Sequence, residues 1–258
     1  MAAEGKRRDR GGGIHIVRRS DFRVRDFRLS FDATTGDGAE SSVTPELRTD
    51  IFDDWLGTAE RAVVDAEAAR DDAVAAPLDE GEAFTSAVLR EFQASIIAVA
   101  ASAFAIDAFF GSVVEHAPAA RVSAGSRAAT IYETFKRAFA FSHAQAKAAR
   151  EPLRSLFQFR KDAVHPPAEW TSPVLHPAFN LGMEPRFVRF RAENAINAQR
   201  FAWRLIAVCV RKPKETFQEL VAWCEPLKEV VPEPPPVPEW AKVERDEAEQ
   251  GPGGEPNA

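Results

Sequence analysis

Within the segment LRSLFQFRKDAVHPP, residues 153–167, an arginine and a histidine stand five positions apart. A histidine with a pKa of about 6.5 can move a proton near neutral pH. A guanidinium stays charged and presents a planar fork of donors that can grip two oxygens of a phosphate as negative charge builds. Arg160 and His165 therefore have the chemistry to hold a phosphate ester and to shuttle a proton at it. Asp162, three residues before His165, can accept its Nδ1 proton and fix the tautomer, and Lys161 adds a second cation. Comparable spacings link Arg8 and Arg10 to His15, and Arg137 to His143. The first two lie in a glycine-rich arm with no helix to hold them, and the third falls in mid-helix with no break to bring its side chains together.

Geometry adds a condition. Residues five apart on an ideal helix point about 140° away from each other, so the pair cannot share a site on an unbroken helix. Pro166 supplies the break: it pushes His165 out of the helical region, so the helix should stop near Val164 and the imidazole can swing towards the arginine.

The helix carrying the pair is expected to begin near Pro152, with Leu153, Leu156, Phe157, Arg160 and Val164 on one face. Before it, residues 126–150 read as a single helix with Ala128, Ile131, Tyr132, Phe135, Ala138 and Phe139 on its stripe. Residues 83–116 read as a long helix, apolar on nearly all sides, that belongs at the centre of the fold and ends before Pro118. Thr44, Pro45 and Glu46 look like the cap, first-turn proline and first-turn acid of a helix running to about Arg70, with Leu47, Ile51, Trp55, Ala59 and Ala62 on one face. Upstream, residues 14–31 alternate apolar and charged residues with the period of half-buried strands, and the parity slips at Asp26, which predicts a bulge. Residues 166–186 have no helical period, Asn180, Leu181 and Gly182 suit a turn, and residues 187–190 suit a strand. An amphipathic helix follows through Ala198, Phe201, Ala202, Leu205, Val208 and Cys209, and a shorter one through Phe217 and Trp223.

The setting of Arg160 and His165 resembles the HEPN superfamily of helical proteins, many of which are metal-independent ribonucleases with an R-x4-6-H motif. The resemblance spans roughly residues 85–210. It rests on the apolar helical face before Arg160, on the ending Ala163, Val164, His165, Pro166, and on the earlier apolar helix with an acid, Asp107, among Ala105, Ile106, Ala108 and Phe109. Lys161 stands where the family commonly has a small polar residue. The resemblance implies a mainly α, up-and-down helical bundle that acts as a homodimer, its two motifs facing across a cleft. It further implies RNA as substrate, a 2′,3′-cyclic phosphate product, no metal and no cofactor. Arg160 and His165 would be catalytic, with Asp162, Lys161 and Asp107 in support. A toxin or defence role, with an antitoxin or other partner protein, is the process that the family suggests. The alternative is a catalytically silent HEPN-like scaffold that binds a nucleotide or protein, in which Arg160 is a structural arginine paired with Asp107 or Glu133 and His165 caps a helix end.

Composition bounds these readings. With 258 residues, 45% of them hydrophobic, the chain can bury an ordinary core, and a net charge of -6 argues against an RNA coat that works by bulk positive charge. Eight basic residues against Glu193 between positions 186 and 214 form a local exception that could guide a polyanion. Cys209 and Cys224 are too few for a disulfide scaffold, and His143 and His176 have no companions at metal-ligand spacing. Residues 1–13 lack the apolar core of a secretory signal, so a cytoplasmic protein is expected. The 23 residues from 92 to 114 are long enough to cross a bilayer, but they are mostly Ala and Ser and contain Asp107, which fits a buried bundle helix better. The expected organisation is an arm at 1–13, a β-strand or hairpin element at 14–44, a helical domain at 45–230 and a disordered, proline-rich acidic tail at 231–258.

Overall fold

A computed structural model describes residues 20–31, 39–76, 81–164 and 171–231; the expected arm, most of the expected tail, and the pair His165 and Pro166 lie outside them. The described chain is mainly helical with a two-stranded antiparallel sheet at its start, the coarse architecture expected from the sequence.

The sheet pairs β1 (Ser20–Phe31) with β2 (Ala39–Thr49). Its register shifts between Val24 and Asp26, leaving Arg25 without a residue opposite, where the parity of the sequence slips. The helix expected from Thr44 does not form there. Pro45 stands opposite Val24 beside the bulge, a position where the missing N–H costs the ladder little, and the pairing continues to Thr49. Helix α1 (Phe52–Ala75) opens instead with Asp53 and Asp54 in its first turn, which complement the helix dipole.

Helix α1 runs antiparallel to α2 (Gly81–His116), because successive contacts pair early positions of one with late positions of the other: Ala73 with Ala87, Ala66 with Ala94, Ala62 with Ala98, and Phe52 with Phe109. Alanines along this seam let the two backbones approach closely. Helix α2 also touches α3 (Arg127–Ala138), α4 (His143–Val164), α6 (Ala192–Arg211) and α7 (Gln218–Val230), so it is the central helix that its composition calls for. It is long and apolar enough to cross a membrane, yet more than half of its most apolar stretch is covered by the rest of the fold. Its Phe109 is the hub of the core, with the rings of Phe52, Phe135, Phe139 and Trp223 at 5.3–6.2 Å. Burying such a ring contributes about 1.5–3 kcal/mol.

Further expectations need correction. Residues 126–150 are not one helix, and α4 does not begin near Pro152, which lies inside it. The chain leaves α3 at Phe139, which bridges to Pro213. There the Lys214 N–H donates to the Ala138 carbonyl and the Ala140 N–H to the Lys212 carbonyl, so the groups that would continue α3 are engaged by the link between α6 and α7. Helix α4 then restarts on a reciprocal cap: the Gln145 N–H donates to Ser142 Oγ and the Ser142 N–H to Gln145 Oε1. Residues 187–190 are not a strand. Pro185 starts the short helix α5 (Pro185–Arg189), whose three-residue spacing lets both Phe187 and Phe190 reach Phe92 of α2. Ahead of it, β3 (Val174–Leu175) and β4 (Gly182–Met183) form a small hairpin whose turn includes Asn180 at φ 54°, as its sequence suggests. At the C-terminal end Val231, placed by composition in the tail, is buried against the core.

Candidate functional site

Arg160 sits on the last described turn of α4, half-buried, with Cζ 4.6 Å from the centroid of Phe104 on α2 and 5.9 Å from that of Phe157. Trp55 of α1 joins this cluster, its ring centroid 5.0 Å from that of Phe104. A cation over an aromatic face is attracted through the ring quadrupole and keeps its N–H edge free for other acceptors. Among the described residues no carboxylate or carbonyl takes up that edge of Arg160.

The structural pairing considered for Arg160 is absent, because both carboxylates have other partners. Asp107 accepts a 2.6 Å hydrogen bond from Nε of Arg127, whose guanidinium lies over Phe110, and Glu133 is bound by Lys136 three residues on. Asp107 therefore ties α2 to α3 and does not meet Arg160. Asp162 is also engaged: Gln158 Nε2 donates to one oxygen at 2.8 Å and Arg189 Nη1 to the other at 2.5 Å. This clamp, with Phe159 against Phe190, fastens the end of α4 to α5 and the residue after it. Lys161 is exposed to solvent. His165, the residue that follows Val164, is outside the described residues, so its contacts with Arg160 and Asp162 are not part of this geometry.

Most of the basic stretch 186–214 is tied into the fold. Arg186 pairs with Glu184, Arg189 with Asp162 and Arg191 with Glu193; Arg211 donates to the carbonyls of Ala207 and Val231, Lys212 to Gln145 and Lys214 to the Lys136 carbonyl. Arg200 and Arg204 are left without such a partner among the described residues, beside Trp203 on α6.

Two buried polar clusters were not anticipated. At the start of α6, Glu91 of α2 is 2% exposed and accepts the Ala192 N–H at 2.8 Å, so it caps α6 from a neighbouring helix. Burial pushes its carboxyl above the usual range. Glu193 is pushed up by burial but more than compensated by hydrogen bonding and by Arg70 and Arg191, and it ends below the usual range. His176 is 1% exposed, stacked on Phe179 at 4.3 Å, and lowered by burial and by Arg191. In the second cluster, buried Asp50 between β2 and α1 accepts from Ser112 Oγ at 2.5 Å and Trp223 Nε1 at 2.9 Å, and the His116 ring stacks on the same tryptophan. Cys209 and Cys224 are free and buried; burial raises both thiols, Cys224 to about 12, so neither is poised as a nucleophile.

Compared with known proteins, the chain matches no family model, no curated protein and no solved structure.

Proposed function

We propose that this protein is a metal-independent endoribonuclease of the HEPN type. Its Arg160 grips the scissile phosphate, and its His165 carries a proton. The 2′-hydroxyl oxygen attacks phosphorus and gives its proton to the imidazole, the bond to the 5′-oxygen breaks, and the products are a 2′,3′-cyclic phosphate and a 5′-hydroxyl. In a homodimer the leaving oxygen takes its proton from the partner's His165. The observation that carries this reading is the state of Arg160, a guanidinium oriented by Phe104 and Phe157 whose donor edge no described residue claims. Such an edge is what an anionic transition state requires. The toxin or defence role and a partner protein such as an antitoxin follow from the family resemblance.

A second reading rests on Asp162. Because both of its oxygens are engaged by Gln158 and Arg189, it is less available to orient His165, which favours a binding module that holds a nucleotide or protein at Arg160 without cutting it. One experiment separates the two. Purified protein in EDTA is incubated with RNA, and His165→Ala is expected to lower cleavage by about 10²- to 10⁴-fold with thermal stability almost unchanged. Cleavage that survives the substitution removes the assignment, and RNA binding without cleavage by the wild type establishes the second reading.

A further inference from the structure

Positions Trp55, Thr58, Ala62 and Asp65 recur at three- and four-residue intervals on α1, and Arg90, Gln93 and Ile97 do so on α2 with Phe104 seven residues further on, so each set lies along one stripe of its helix. Between the stripes runs an open groove of about 540 Å³, with Arg61 and Arg90 on its walls. Its stripes lead to the place where Trp55 meets Phe104, with the guanidinium of Arg160 over the same phenylalanine. Trp55 and Phe104 are half-buried, and Ile97 is 51% exposed.

We infer that Trp55 and Phe104 form a nucleobase-stacking subsite for the RNA that Arg160 holds, with the flanking strand lying in the α1–α2 groove. The inference rests on the proposed phosphate-binding role of Arg160. Trp55 and the guanidinium each contact Phe104, at 5.0 and 4.6 Å, so they lie within about 10 Å of one another, a span suited to a base and a nearby phosphate of one strand. Half-exposed aromatic rings beside a stacked arginine are the elements with which proteins hold unpaired bases, whereas bases inside an A-form helix are already stacked and cannot reach such a ring. The groove supplies a cation at Arg61 and an amide at Gln93, while Arg90 on its other wall is paired with Asp72. Its one lining carboxylate, Asp65, keeps it from being a simple phosphate channel, which fits recognition that depends on bases as well as charge.

The test uses the full chain carrying His165→Ala, which removes turnover, and three fluorescent 12-mer probes: a single strand, the same sequence as a duplex, and a single strand with abasic spacers in place of its bases. The single strand is expected to bind about 5- to 100-fold tighter than either of the others. Adding Trp55→Leu should lower single-strand affinity by a similar factor and leave abasic binding unchanged, while Trp55→Tyr should keep most of it. Equal affinity for all three probes, or a Trp55→Leu loss that is the same with and without bases, overturns the subsite. The abasic comparison needs no change at Trp55, so it stands even where Trp55→Leu lowers the melting temperature. Cleavage by the wild type together with base-independent binding would sink this inference alone; base-dependent binding through Trp55 without cleavage would sink the nuclease and leave the subsite standing.

Discussion

Arg127 and Arg160 each lie over a phenylalanine of α2, Phe110 at 4.3 Å and Phe104 at 4.6 Å, but on opposite terms. Where α3 meets α2, Asp107 takes the Nε–H of Arg127 and the pair becomes a tie between helices. Where α4 meets α2, no described carboxylate answers Arg160. A ring orients a guanidinium without using its donors, and a single carboxylate then decides whether the cation is structural or available. The two sites are close along α2, since Phe104, Asp107 and Phe110 succeed one another at three-residue steps.

The largest expected effect that would break this contrast is at Arg160. Arg160→Ala should reduce RNA cleavage by about 10²- to 10³-fold, the usual loss when one preorganised donor to a developing charge is removed, and Arg160→Lys should restore only part of it because the fork and the stack are lost. Both are read as initial rates on RNA in EDTA, alongside melting temperature. Arg127→Ala should do the reverse. With half-exposed partners its tie is worth about 0.5–1 kcal/mol, so the melting temperature should fall by about 1–4 °C while cleavage stays within twofold. A loss of cleavage at Arg127 equal to that at Arg160 would show that the contrast has no functional meaning.

The smallest effect concerns the opposite end of α2, where charges are buried in a network and not displayed. His176 is held below its usual pKa, so its contribution to stability is present above about pH 6.5 and is lost as the pH falls through its depressed folded value. Glu91 has the opposite sign, since its raised carboxyl favours the fold below the ordinary carboxylate range and that contribution fades as the pH rises through the folded value. Taking the difference between wild type and His176→Gln isolates the histidine. The wild type should lose more melting temperature than the variant between pH 7.5 and 5, as seen in thermal scans at fixed ionic strength, and parallel profiles would place His176 outside the titrating network.

How far such features can be foreseen from the chain depends on the distance over which their causes act. The central helix and the bulge of the hairpin are legible because continuous apolar residues and a parity slip are local signals. Thr44, Pro45 and Glu46 carry a local signal for a helix start that pairing with β1 overrides. The break between α3 and α4 has a remote cause, Pro213 and its neighbours, although Ser142 and Gln145 carry a capping pattern that marks the restart. Pro185 at a first helical position likewise announces α5. Arg160 stands out in sequence because a charge on an apolar face is conspicuous. Its surroundings do not, since Trp55 and Phe104 look like ordinary core positions until the packing of α1 and α4 on α2 brings them together with Arg160. Glu91 and His176 are invisible for the same reason, as the N–H that Glu91 caps belongs to a helix a hundred positions away.

The contact between Phe139 and Pro213 joins the two ends of a long internal stretch of chain, from the end of α3 to the entry of α7. The entropic cost of closing such a loop rises only with the logarithm of its length, so further residues within it add little. The turn of α4 that bears the proposed chemistry lies inside this closed segment, so any local opening there would not require the contact at its base to break. Amide exchange would register that as slow backbone protons at Ala140 and Lys214, in a linker, beside faster ones at the end of a helix.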